Sequence, residues 1–569
     1  MKNGTLLFFG LLLAAAVVLV YLSSLPGEFV FDDEATIVRN PYLERLWPPG
    51  EAFAAPPRSP LRDRPVVSFS LSLNRALFGP SPASYRGGNI LIHLAAALVL
   101  FGIVRRTLLS PRLPERYRKS AAGLSLAAAL IWAVHPLQTQ SVTYITQRCE
   151  SLMGLFFLGT LYAFIRGAAS SRPWRWYCLS VLLCALGMGS KAVMATAPVI
   201  VLLYDRVFTA AGWREIRRRR RWYYLALFLT LAFQAALLLT TSYEDIRTHQ
   251  PLEYGLSQFG VIAHYLRLAL YPRPLVLDYH WLPVRSPAGV WPGLPVVLGL
   301  LALTAAALKK TPPLGFAGLW FFLILAPTSS LLPLEDLAFE HRMYLPLAAL
   351  AVLGTAGGFE LLGKLFPGRP KRRRAWGIAL TVIIASGLGT LTVLRNRDYY
   401  SAEGMWRQVI ARRPLNPRAY NSLGNIVLRE GRPGRAEELY RRAIEVSPRY
   451  QPAHYNLANL LAGRGELEEA VVHYRKTLEI NPEAVEAHNN LGIALFALGE
   501  TRQARDHFLS ALELDPDDPA AHYNLGLILL QEGEASSALA RFERVLELRP
   551  DYRPARQAAS RARQELERR

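Results

Sequence analysis

The sequence predicts an all-α protein in two parts: a polytopic membrane helical bundle followed by an α-solenoid. Two observations carry this. Up to about residue 395 the chain is a string of apolar segments, most of them near the length needed to cross a bilayer. Beyond that point single residues recur at a spacing of 34: Pro414, Pro448, Pro482, Pro516 and Pro550; Gly431, Gly465, Gly499 and Gly533; Ala436, Ala470, Ala504 and Ala538. A third observation, the placement of positive charge, orients the bundle.

Spans are expected at 5–22, 88–105, 120–136, 150–166, 174–190, 192–206, 221–241, 288–308, 314–333, 343–363 and 375–394. The first lacks a small-residue cleavage site and reads as a retained span. Arg and Lys gather at 105–119, 166–175, 206–221, 309–310 and 369–374. A further apolar segment, 258–272, is short and broken by His264 and Arg267. If it is re-entrant or interfacial, every basic loop lies on the cytoplasmic side. If it crosses, the last two basic loops break that rule. About eleven spans are therefore expected. Loops 23–87, 137–149, 242–287 and 334–342, and all that follows 395, then lie on the non-cytoplasmic face. The formal charge of +21 is explained by these loops, which argues against a nucleic-acid partner. Three Cys in the apolar body, without ligand spacing, indicate neither a disulfide framework nor a zinc site, and no metal is expected.

A 34-residue helix–turn–helix unit with small residues at the helix crossings and a closing Pro is the tetratricopeptide (TPR) signature. After the membrane domain at 1–395, a connector and partial repeat helix are expected at 396–416. Four repeats follow over 417–552, and a charged capping helix at 553–569. Asn456, Asn490 and Asn524 stand one period apart. They either clamp the backbone of an extended acceptor peptide or fill hydrogen bonds within the array.

The candidates for chemistry all fall in the external loops or at span ends. Asp32, Asp33 and Glu34 are three consecutive carboxylates at a membrane surface, where such charges are costly unless solvated, paired or functional. They read as capping acids of a solvated loop or as the source of a general base. His135 and Gln140 lead to Arg148, whose fork matches phosphate oxygens, although an interfacial Arg also snorkels. Lys191 sits in a thin polar break, and Asp278 and His280 form a small pair. Glu340, His341 and Arg342 enter a span together, as a structural ion pair or a ligand site.

Taken in order, these motifs resemble the TMTC-like (transmembrane and TPR) protein O-mannosyltransferases and their bacterial relatives, of the GT-C glycosyltransferase class. The resemblance runs through Phe31-Asp32-Asp33 and Asn40-Pro41, His135-Pro136 with Arg148, and Ser190-Lys191 with Pro198. It continues through Tyr204-Asp205, Tyr265-Leu266-Arg267 with Asp278-Tyr279, and Glu340 with Tyr344-Leu345-Pro346. It ends at Arg395-Asn396 before Trp406 and Pro414-Leu415-Asn416. Gln140, Ala192 and His341-Arg342 depart from residues common in the family. The resemblance implies an inverting enzyme of the bacterial inner membrane, with its loops and repeats periplasmic. Its donor would be a polyprenyl-phosphate-linked sugar held among membrane lipid, and its acceptor a Ser or Thr of a protein bound by the repeats. No cofactor is implied. Asp33, or else Asp32, is the expected base. Glu34, His135, Arg148, Lys191, Asp278, Glu340, His341 and Arg342 are expected around the substrate, with Arg148, Lys191 and Arg342 nearest the phosphate. Two other readings remain: a GT-C transferase acting on a lipid or envelope glycan with the repeats recruiting a partner, and a non-catalytic membrane scaffold.

Overall fold

The structure is a computed structural model that describes residues 3–56, 59–239, 250–330 and 332–568. Among the described residues there are helices and no strands. The chain divides into two compact units, Met1–Gln408 and Val409–Arg569.

In the first unit, seven helical stretches are long and apolar enough to cross a membrane: Gly4–Ser24, Pro82–Leu108, Ile145–Ala168, Ala192–Thr209, Trp213–Leu239, Pro346–Leu365 and Pro370–Tyr399. An eighth is the pair Glu115–Ala133 and Pro136–Val142, bent by 54°. Many of these helices open on Pro, whose fixed φ and missing N–H suit the first turn. The other three of the eleven expected spans coincide with shorter helices. Pro312–Leu325 has 14 residues and ends just before Pro327, since the residue before a proline is steered away from helical geometry. Pro173–Met188, with 16 residues, stops at Gly189-Ser190, and Leu294–Lys310 has 17. Segment 258–272 belongs largely to a helix, Pro251–Leu270, that is not among the seven. Of the expected loop 242–287, residues 242–249 lie outside the described residues.

The first and last spans of this unit are joined. Asn396 Nδ2 donates to Val20 O at 3.1 Å and to Ser23 Oγ at 2.9 Å, while its Oδ1 accepts from the Thr143 hydroxyl at 2.8 Å. One amide at the end of the last span thus ties the end of the first span to the segment 137–149.

The second unit contains four antiparallel helix pairs: Pro417–Arg429 with Pro433–Val446, Gln451–Gly463 with Leu467–Ile480, Val485–Ala497 with Thr501–Leu514, and Pro519–Gln531 with Ala535–Leu548. Arg553–Arg568 follows. Gly431, Gly465, Gly499 and Gly533 turn the chain between paired helices at φ of 77° to 84°, where a Cβ would be strained. The periodic alanines are fully buried where the paired helices cross.

Candidate active site

Phe31 takes a φ of 51°, a left-handed conformation that is rare for an aromatic residue and therefore marks the turn it begins. Its ring meets Trp406 edge-on, with centroids 5.3 Å apart, a contact that offsets part of the strain. The next two carboxylates have different fates. Asp33 is fully buried: its Oδ1 accepts from the Thr146 N–H at 2.8 Å and the Thr146 hydroxyl at 2.6 Å, and its Oδ2 from the Val30 N–H at 3.1 Å. Burial pushes its carboxyl up to about 6, against the pull of these bonds and of the Arg86 charge. Asp32 is half-buried. Its Oδ2 accepts from the Tyr144 hydroxyl at 2.7 Å, and its N–H donates back to the Tyr144 oxygen at 3.1 Å. Glu34 pairs with Arg39 at 3.1 Å near the surface.

The segment 139–147 is the hub of the site. Besides holding Asp32 and Asp33, it supplies Gln140, whose Nε2 donates to Leu277 O at 3.2 Å. Gln140 Oε1 accepts from the His341 N–H at 2.8 Å and lies 3.1 Å from His341 Nδ1, which therefore donates. Glu340 is fully buried and accepts from the Val276 N–H and, at 2.8 Å, from the Tyr279 hydroxyl. It also faces Arg395 at 3.5 Å. Burial raises the Glu340 carboxyl above its usual range while Arg395 pulls it down. Hydrogen bonds therefore run unbroken from loop 31–33 through 139–147 to 276–279, 340–341 and the end of the last span.

Positive charge gathers beside this net. Lys191 forms an ion pair with Glu150 that is nearly sealed from solvent. His341 is held well below the usual imidazole range, first by burial and then by the charges of Lys191, Arg342 and Arg64. These cations thus share one neighbourhood with a neutral imidazole. Arg64 was not singled out by sequence reasoning; it pairs with adjacent Asp63 at 3.4 Å and reaches Cys149 Sγ at 3.4 Å. Tyr144, Thr146 and Arg86 were missed as well. Arg86 is fully buried and donates to Thr143 O at 3.0 Å, to Tyr399 O at 3.4 Å and to Glu28 O, bracing the Asp33 loop from behind.

Several expected residues sit elsewhere. Arg148 is 1% exposed and is taken up by Asn89 Oδ1, Asn74 Oδ1, Ser70 O and Tyr85 O at 2.6 to 3.0 Å, so its fork is closed to phosphate. Arg342 donates to Thr328 O, Leu337 O, Asp336 O and the Tyr254 hydroxyl at 2.6 to 3.3 Å; it clamps segment 328–337 instead of presenting a free fork. His135 caps its own turn, accepting from the Leu137 N–H, and donates to Ala269 O at 3.1 Å. Asp278 accepts from the His280 N–H at 2.9 Å in a tight turn in which His280 has a φ of 43°. The preference for Asp33 as base conflicts with its enclosure, whereas Asp32 keeps a solvent-facing side. In the repeats, Asn456 Nδ2 donates to Asn421 and Asn524 Nδ2 to Asn489, each at 2.9 Å. Asn490 Nδ2 donates to Asn459 at 3.0 Å and Tyr455 at 3.1 Å. These amides join one repeat to the one before it, the role within the array that the sequence left open beside a backbone clamp; Asn456 and Asn524 each commit one N–H to it.

Fold and site define an integral membrane protein whose polar loops knit together around buried carboxylates and cations, followed by a TPR array. The family described as dolichyl-phosphate-mannose-protein mannosyltransferase matches residues 58–239, which include Arg64, Gln140 and Lys191. Tetratricopeptide-repeat families match 391–452, 439–472, 459–499 and 489–553. The chain is 29% identical to protein O-mannosyl-transferase F38B6.6 of Caenorhabditis elegans over 34% of its own length and 27% of that protein. It is 33% identical to mouse protein O-mannosyl-transferase TMTC1 over 26% of its length and 16% of that protein. With mouse TMTC4 it shares 26% identity over 73% of its length and 63% of that protein. It therefore spans less than two thirds of each of these relatives. Among solved structures, the crystal structure of MamA aligns at 21% identity over 26% of this chain and 86% of that chain, with a TM-score of 0.25. Together these matches make the chain similar, over part of its length, to the TMTC protein O-mannosyl-transferases.

Proposed function

We propose that the chain is a membrane glycosyltransferase that moves a hexose, mannose in the first instance, from a polyprenyl-phosphate donor to Ser or Thr hydroxyls of a protein on the non-cytoplasmic face. The observation that carries this is the joining of a half-buried carboxylate, Asp32, to segment 139–147, which runs on into Cys149 and Glu150, the partners of Arg64 and Lys191. The carboxylate and the cations serve opposite ends of one displacement. Asp32 takes the proton from the acceptor hydroxyl, whose oxygen bonds to the anomeric carbon as that carbon's bond to the phosphate oxygen breaks, with inversion. Lys191 and Arg64 stabilise the negative charge that grows on the departing lipid phosphate. Asp33 holds the loop and does not exchange protons with substrate. The array supplies acceptor binding, which fits the relatives' name as protein O-mannosyl-transferases.

The test is transfer from a lipid-linked mannose to a Ser/Thr peptide by purified protein. Asp32→Asn should lower turnover by about 100-fold or more, since it keeps size and removes the base. Lys191→Met should weaken handling of the donor phosphate. An Asp32→Asn enzyme that transfers at the wild-type rate would remove the base from this proposal.

A further inference from the structure

We propose that two histidine pairs in the repeat array form cross-helix sites for a first-row divalent transition ion of the zinc, nickel or copper type. The pairs are His454 with His473 and His488 with His507, one 34-residue period apart. In each, one imidazole comes from the first helix of a repeat and the other from the second. Their Nδ1 atoms stand 3.0 and 3.1 Å apart. Two nitrogens bound at about 2.0–2.1 Å to one ion lie about 2.9 Å apart at a right angle and about 3.3 Å apart in a tetrahedron. The observed separations fall inside that range.

In each pair one ring is oriented as a ligating imidazole requires. A ligating His normally donates its second N–H to a carbonyl or carboxylate, which fixes the tautomer and the ring direction. His454 Nε2 lies 3.1 Å from Pro448 O and His488 Nε2 lies 3.0 Å from Pro482 O. A carbonyl only accepts, so both rings carry their proton at Nε2 and turn a bare Nδ1 toward the partner. His473 Nε2 faces Glu469 Oε1 at 3.8 Å, beyond hydrogen-bond reach, and that oxygen accepts from Arg441 Nη2 at 2.7 Å. In the metal-free chain the second imidazole closes the gap by donating its own Nδ1–H; an ion takes the place of that proton as the ring changes tautomer and carries it at Nε2 instead.

Neighbouring repeats show where the pattern stops. One period later His522 keeps its bond to Pro516 O at 2.9 Å, but Arg541 fills the second position and its guanidinium faces Nδ1 at 3.5 Å. One period earlier the two positions are Tyr420 and Leu439. Two sites per chain result. Among the described residues no three or more His, Cys, Asp or Glu are grouped to hold a metal. Water therefore completes each site, and ions that favour imidazole late in the Irving–Williams order are preferred. The two sites also differ: the position of Glu469 in the first is Gln503 in the second.

The full chain, purified in detergent without a polyhistidine tag, is titrated with Zn²⁺ by calorimetry and loaded with Cu²⁺ for electron paramagnetic resonance. Wild type should take two ions per chain, show hyperfine coupling to two imidazole nitrogens, and melt higher with Zn²⁺ in a way that chelator reverses. The double variant His473→Arg/His507→Arg copies the arrangement that Arg541 already supports, so it should fold, as checked by circular dichroism. It should lose both ions. A wild type that binds no ion shows the pairs to be hydrogen bonds only and overturns the proposal. Binding that survives in the folded double variant overturns it as well.

Discussion

Asp32 and Asp33 are neighbours in sequence and opposites in environment, and their substitutions should separate accordingly. Asp33→Asn should leave the transfer step within a few-fold of wild type wherever the protein folds, because the buried carboxylate does not meet substrate. Its effect belongs to stability. Its carboxyl is raised to about 6 in the fold, against 3.8 as its ordinary value. Between those pH values the folded chain binds more protons than the unfolded one. Stability therefore falls as pH rises from about 4 to about 6, by up to about 3 kcal/mol. Melting curves at pH 4.5 and 7 should show this slope in wild type and a flatter one in Asp33→Asn. An equal slope in both would mean that another group titrates there. At this scale the sequence disclosed the acidic triplet but not the choice within it. That choice depends on Thr146 and Tyr144, more than 100 positions away, and no local pattern signals that they approach.

Among the elements, the helices and the repeat period were legible because both follow from spacing along the chain. Gly431 and its periodic successors occupy the positive-φ turns that a 34-residue unit requires. Legibility failed where helix length depended on a local stop, as before Pro327, and where a polar side chain had to find a distant partner. Arg342 is the clearest case: a cation at a span entrance suggests a ligand, yet three carbonyls and a phenol enclose it. Arg342→Ala should therefore destabilise segment 328–337, at a cost of at least about 2 kcal/mol, because charge-assisted bonds to buried carbonyls are lost. Limited proteolysis should cut that segment faster, while apparent donor affinity in the surviving folded fraction changes little. A selective rise in donor KM with unchanged proteolysis would restore Arg342 to the phosphate. In the array, substituting Asn456, Asn490 and Asn524 together by Ala should lower the melting temperature, since these amides bridge repeats. Acceptor affinity that falls without any such drop would point to a direct clamp.

For the whole molecule, two units imply a division of labour. Deleting 417–569 should spare transfer to a short peptide and weaken transfer to a full protein acceptor, because the array raises effective concentration and holds no reactive group. Equal handling of full acceptor by the truncated chain would leave the array a scaffold. Reporter fusions after residue 310 and at the C-terminus should read cytoplasmic and non-cytoplasmic; a cytoplasmic C-terminus would mean that 251–270 crosses the membrane.

The amide of Asn396 also sets a clock. Its partners are Val20, Ser23 and Thr143, and Arg86 reaches forward to Tyr399, so the loop that carries Asp32 and Asp33 is braced by residues made some 370 positions later. During synthesis the early spans must wait in the bilayer with these groups unsatisfied until the last span arrives. Contacts of such sequence separation form late. A chain halted anywhere before about residue 400 therefore holds its first loop without these late braces, and the loop takes its final form only when the membrane body closes.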